Sequence, residues 1–210
     1  MKNNLKKTAF LVAVTLLFGG CISLKQPAKK VDFYTLEYDP PPAAGFEPLP
    51  FVLRLERFSA APICNTNRIV YQDRSFKRDV YVYHQWSTKP GAVVTHLLIR
   101  DMRQSGLFKA VLSYDTVLPF TYLLEGSVDE FYEKDTEGEW IAVLTVSITL
   151  VSEKDPDISK RILVQKTYHA EKACERKNPG ALAKAMSLAL REVSEKIVKD
   201  VYSCLKGSGQ

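Results

Sequence analysis

Along residues 140–151 the apolar and polar positions separate by parity. Trp140, Ala142, Leu144, Val146, Ile148 and Leu150 make one wholly apolar row, while Ile141, Val143, Thr145, Ser147, Thr149 and Val151 make a mixed one. A period of two over such a run predicts a strand with one face in the core. Before it, Tyr122, Leu124, Gly126 and Val128 alternate with Leu123, Glu125, Ser127 and Asp129; after it, a strand is predicted over residues 161–171. Turns near residues 135–138 and 154–157 join the three into an antiparallel meander. Upstream, Phe51, Leu53 and Leu55 alternate with Val52, Arg54 and Glu56, predicting a strand over residues 51–58. Residues 68–72 and 79–85 form a hairpin about the charged stretch 73–78. Residues 33–38 are a β-type run, and one more strand falls near residues 110–114.

In two segments the period lengthens to that of a helix. One opens at Pro90-Gly91, runs through Val94, Leu97, Leu98 and Met102, and stops at Ser105-Gly106, where glycine suits a left-handed cap. The other starts with Asn178 as cap and Pro179 in first place. Its Leu182, Met186, Ala189, Val193, Ile197 and Val201 recur at spacings of three and four, with Lys184, Lys196 and Lys199 off the stripe. The order predicts an α+β fold, a two-layer sandwich of an antiparallel-rich mixed sheet with two main helices packed on one face. The proline-rich residues 39–50 cannot enter a sheet interior and read as a stiff surface connection.

The N-terminus has a different pattern. Lys2, Lys6 and Lys7 precede an apolar run over residues 8–18, followed by Gly19-Gly20-Cys21. Charge, a short apolar stretch and small residues, in that order, mark a secretory signal. Eleven helical residues reach about 16 Å at ~1.5 Å each, short of a ~30 Å hydrocarbon core. Two glycines directly before a cysteine resemble the lipobox of bacterial lipoproteins, although Phe18 stands where such sequences usually have leucine. That resemblance implies cleavage before Cys21 and a covalent lipid on its thiol, with no other cofactor. Ile22, and not aspartate, then follows the lipidated residue; by resemblance to enterobacterial sorting this points to the periplasmic face of the outer membrane. The expected organisation is a signal peptide over 1–20, a tether over 21–30, one α+β domain over 31–206 and a frayed tail over 207–210.

The leader takes three lysines and no acid with it, so the formal charge of +5 drops to +2. A nucleic-acid surface would need clustered basic residues and a strongly basic domain. Three cysteines remain, Cys64, Cys174 and Cys204, and an odd number in an oxidising compartment suggests one bridge and one spare thiol. Cys174 and Cys204 lie at opposite ends of the last helix, about 38 Å apart, beyond any disulfide. The strand over 51–58 and that near 110 flank a helix and are taken as parallel. If every later turn reverses the chain, the last helix climbs to where the first of these strands ends. This predicts Cys64–Cys204, with Cys174 unbridged.

Beyond the lipobox the chain resembles the ABC-type transport auxiliary lipoprotein family (PqiC/YmbA-like) over about residues 31–205. The pieces that carry the resemblance are Phe33-Tyr34-Thr35-Leu36, Ile69-Val70-Tyr71 and Tyr81-Val82-Tyr83-His84-Gln85-Trp86. Ser105-Gly106-Leu107-Phe108 and Tyr122-Leu123-Leu124-Glu125-Gly126 follow in order. The family usually has arginine where this chain has Gln72 and Gln85. The resemblance implies a periplasmic lipoprotein beside an ABC transporter whose binding component carries an MCE (mammalian cell entry) domain. Such systems are thought to move phospholipids or other apolar molecules between the inner and outer membranes. Tyr71, Tyr81 and Tyr83 are the candidate partner contacts, since tyrosine is enriched at interfaces; packing of Tyr81 and Tyr83 into the core is the alternative. Trp86, beside the helix entrance, reads as core.

No G-x-x-x-x-G-K-[ST], G-x-S-x-G or H-E-x-x-H occurs, and His84, His96 and His169 have no neighbouring ligand or base pattern in sequence. The expectation is a non-enzymatic binding module. The rival within that class is an outer-membrane assembly lipoprotein that binds a β-barrel or lipopolysaccharide-export partner. The oligomeric state is not legible.

Overall fold

A computed structural model describes residues 29–42, 46–153 and 155–208. Cys21 and the whole leader lie outside them. The chain divides after Lys30, and the domain begins at Val31.

The sheet is built on one long strand, β7 (Tyr122–Asp135). Along one edge it pairs with β8 (Trp140–Ser152), which pairs in turn with β9 (Ile162–Ala173), both antiparallel. This is the expected meander. Along the other edge three short strands follow one another, each parallel to β7: β2 (Leu49–Leu55), β3 (Ser59–Ala60) and β4 (Arg68–Gln72). Leu53 lies opposite Tyr122, Ser59 opposite Ser127 and Tyr71 opposite Glu133, so the chain climbs β7 in three steps. The sheet then forks. β6 (Phe108–Leu112) adds to β2, whereas β5 (Arg78–Trp86) and then β1 (Asp32–Tyr34) add beyond β4.

Helices α1 (Pro90–Ser105) and α3 (Pro179–Ser208) cover one face. The apolar row of β8 meets the stripe of α3: Ala142, Leu144, Val146, Ile148 and Leu150 face Leu182, Met186, Ala189, Val193, Ile197 and Val201, all at most 1 % exposed. Each such aliphatic chain contributes about 1.5–3 kcal/mol when fully buried. Asn178 Oδ1 accepts from the Ala181 amide at 2.9 Å, the expected cap. Gly106 ends α1 at φ 65°, the left-handed conformation read from the sequence. A single helical turn, α2 (Ile158–Arg161), precedes β9 and was not anticipated; Asp157 caps it by accepting from the Ser159 amide at 3.0 Å.

Two expectations need correction. The β-type run over 33–38 is strand only to Tyr34. Residues 35–42 leave the sheet and strap the helix layer, because their side chains find partners there. Leu36 is buried, the Glu37 amide donates to Ser187 Oγ at 3.0 Å, and the Tyr38 hydroxyl donates to Asp101 Oδ2 at 2.7 Å. Asp101, 1 % exposed, also accepts from Ser194 Oγ at 2.5 Å and from Arg100 Nε at 2.9 Å. One carboxylate thus joins the strap, α1 and α3.

The second correction concerns direction. The connection from β6 to β7 does not reverse the chain. Residues 113–121 cross β2 and emerge on its other side: Arg54 Nη2 donates to the Tyr114 carbonyl at 3.1 Å, and the Thr121 amide to the Val52 carbonyl at 2.8 Å. β7 therefore runs with β2, so β9 does too, and α3 descends to the start of β2, where the Tyr202 hydroxyl donates to the Glu47 carbonyl at 3.0 Å.

Asp101→Ala strands the Arg100 charge and two hydroxyls, and should lower stability by about 3–5 kcal/mol in urea titration. Gly126 offers a second check. A Cβ there would come within 2.4 Å of the Phe58 ring and 2.7 Å of the Ser147 carbonyl, whereas one at Gly138 meets nothing. Gly126→Ala should cost about 1–3 kcal/mol, and Gly138→Ala should leave the unfolding midpoint almost unmoved.

Candidate functional site

The aromatic hairpin β4–β5 was the expected contact region. Its register is interrupted: Val70 faces Val80 but Arg68 faces Gln85, so two steps along β4 oppose five along β5. A bulge of this kind re-aims side chains. It breaks the shared parity of Tyr81 and Tyr83. Tyr81 turns inward, its hydroxyl shared between both carboxylate oxygens of Glu133 at 3.1 Å. Tyr83 stays 40 % exposed beside Val82 at 64 %. Tyr71, opposite Glu133, packs against Tyr81 with the rings tilted by 43° and their centroids 5.0 Å apart. The structure thus brings Tyr71 and Tyr81 together and sets Tyr83 apart from them. Trp86 is buried, edge-on to Phe131 at 5.2 Å, as a core residue. Gln72 and Gln85 accept from neighbours within the hairpin, Arg78 Nε at 3.1 Å and Asn67 Nδ2 at 3.0 Å.

Glu133 is the residue that sequence reading missed. It lies on the core-facing row of β7 and is 1 % exposed. Burial pushes its carboxyl from 4.5 up to about 7; the Tyr81 hydroxyl opposes this, Asp135 adds to it and Lys177 opposes it. The Tyr81 phenol is raised in turn, by burial and by the Glu133 charge. Parity in the sequence hid it: the core row Tyr122, Leu124, Gly126 and Val128 would continue to Glu130 and Tyr132, and a bulge between Val128 and Glu130 shifts it to Phe131 and Glu133.

A second polar group lies on the uncovered face of the sheet. Thr145 Oγ1 donates to Glu130 Oε2 at 2.6 Å and lies 2.8 Å from His169 Nδ1, while His169 Nε2 is 3.7 Å from Glu171. His169 thus has acidic neighbours supplied by cross-strand pairing, which the linear sequence does not show. The threonine proton is committed to a carboxylate, so the group cross-links β7, β8 and β9 and presents no freed hydroxyl.

The cysteines are not arranged as expected. Cys64 and Cys204 form no disulfide. The Cys64 thiol faces the Asp129 carbonyl at 3.9 Å, and the Cys204 thiol faces the Leu163 carbonyl at 3.9 Å. Leu163 follows Ile162, whose partner Val151 pairs with Leu123, six residues before Asp129 on β7. At about 3.3 Å per residue that is roughly 20 Å, whereas bridged Cα atoms lie about 4.4–6.8 Å apart. The cause is the parallel entry of β7, which turns α3 round. Cys174 is buried just past the end of β9, and burial and the nearby Glu133 charge push its thiol up to about 11.

Between pH 4.5 and about 7 the folded chain keeps a proton on Glu133 that the unfolded chain has released. Stability must fall as pH rises through that window and level off above it, a loss of about 3 kcal/mol in all. Glu133→Gln cannot ionise, so its urea midpoint should stay level where that of the parent chain falls; parallel curves would contradict the assignment. Peptide mapping without reduction should find no Cys64–Cys204 linkage.

The comparisons with known proteins agree with this architecture. A family model described as "ABC-type transport auxiliary lipoprotein component" matches residues 34–198. No curated protein matched the chain. Among solved structures, protein XCC0632 from Xanthomonas campestris superposes with a TM-score of 0.77 at 18% identity, covering 86% of this chain and 99% of that one. The hypothetical protein CT253 from Chlamydia trachomatis gives 0.52 at 9% identity, covering 73% of this chain and 96% of its own. At such identities these structures establish the fold alone. The family match extends from the last residue of β1 into the second half of α3, and on that ground the chain belongs to the ABC-type transport auxiliary lipoprotein component family.

Proposed function

We propose that the protein is held by lipid on Cys21 to the periplasmic face of the outer membrane. There its domain docks on the MCE-domain protein of an ABC transporter that moves lipids or other apolar molecules between the two membranes. The family match over residues 34–198 carries this reading. The leader and its Gly19-Gly20-Cys21 end supply the anchor.

The domain acts by contact and does not carry the cargo. The apolar crevice beneath the strap, between Pro41, Phe46, Leu107, Val198 and Tyr202, has a volume of about 20 Å³. Small-molecule sites run to about 300–1,000 Å³; the hollow of about 360 Å³ between β9 and α3 is lined by Lys166, His169, Lys196, Lys199 and Asp200, charged and polar groups unsuited to an apolar cargo. With α1 and α3 seated on the sheet, apolar surface is spent on the core. The nucleotide chemistry belongs to another subunit. Tyr83, 40 % exposed, is the hairpin tyrosine with surface to offer a second protein or the membrane.

Two measurements test this reading. Chain carrying a C-terminal affinity tag, cross-linked in cells and purified from membranes, should bring down an MCE-domain protein with its permease and ATPase. Recovery of a β-barrel protein and no MCE partner would overturn it. Cys21→Ser should remove the protein from the outer-membrane fraction without altering the unfolding midpoint of the domain.

A further inference from the structure

Single exposed apolar side chains are ordinary on a protein surface. At the β1–β5 edge three stand together. Phe33 on β1 is 62 % exposed, and on β5 Val82 is 64 % and Tyr83 40 % exposed. Phe33 lies opposite Gln85, three residues beyond Val82 on the adjoining strand. The β5 bulge turns Val82 and Tyr83 outward, and β1 is the last strand on this branch of the sheet. The acid next to Phe33, Asp32, is turned to His84, 3.9 Å away.

This edge is also where the anchor arrives. Twelve residue steps lead from Cys21 to Phe33, and at most about 3.3–3.6 Å each they reach roughly 40 Å. Residues 22–30 include Lys25, Lys29 and Lys30 and no acid, a composition drawn to anionic headgroups. An apolar pair flanked by tyrosine suits the headgroup boundary, where tyrosine is enriched and shallow apolar faces settle. We propose that the β1–β5 edge, led by Phe33 and Val82, rests on the bilayer that holds the lipid of Cys21. The inference builds on the anchoring reading above and adds an orientation. The opposite end of the sheet, where Val117 and Leu118 are 98 % and 58 % exposed beside the start of β7, is left away from the membrane.

The lipidated full chain can be reconstituted in phosphatidylethanolamine–phosphatidylglycerol vesicles that contain a diazirine phospholipid. After illumination, peptides carrying Phe33 and Val82 should be labelled about ten-fold more than the peptide carrying Val117 and Leu118, as expected for an apolar face settled at the acyl boundary. Equal labelling of the two regions, or stronger labelling at Val117, would overturn the orientation. The mass of the Cys21 peptide in the same digest reports the anchor separately. If Cys21 is bare, the anchoring reading fails. The mature chain carrying Cys204→Ser, coupled through Cys21 to a maleimide phospholipid in the same vesicles, then decides the orientation by the same ratio.

Discussion

The backbone of β7 is the constraint on which the rest depends. Thirteen of its residues pair with β8 on one side, leaving a second edge of the same length to be satisfied. A buried edge without partners would be costly. This chain covers it with three short parallel strands taken in sequence, and the fork follows because strands that splay from a twisted edge cannot continue as one layer. Residues 56–58 and 61–67 are the steps between them. Phe58 fits the first step because Gly126, with no side chain, leaves room for its ring.

Much of this was legible because burial writes periodicity. The row in β8 and the stripe in α3 are apolar without exception, and they meet in the core as read. Asn178, Pro179 and Gly106 marked helix ends through backbone chemistry that is local. Direction was not local. Parity tells which face a strand buries but not which way it runs, so the parallel entry of β7 was invisible and the disulfide inference failed with it. The β5 bulge escaped for a related reason: Tyr81 and Tyr83 share a parity in sequence, and only the pairing with β4 separates them. Residues 35–38 of the strap were read as strand because Thr35 and Tyr38 suit either description. Its choice is set by Asp101, sixty residues away.

Two buried carboxylates mark where the fold spends stability on position. Asp101 is fully bonded and fixes the strap on the helices. Glu133 has one phenolic proton between its two oxygens and burial against it, so its charge is held weakly near neutral pH. Both lie behind the surface on which the hairpin and strap are displayed. They hold the strap on the helices and the hairpin on β7. The contact role proposed above asks for such fixed surfaces more than for a cavity.

The account's central claim is that the lipid holds the protein while the domain acts by touching its partner, with its own interior filled. Native mass spectrometry of the mature chain, released gently from membranes, tests this most directly. The claim predicts a domain whose only lipid is the one covalently attached at Cys21. A phospholipid retained in stoichiometric amount, beyond that anchor, would contradict it.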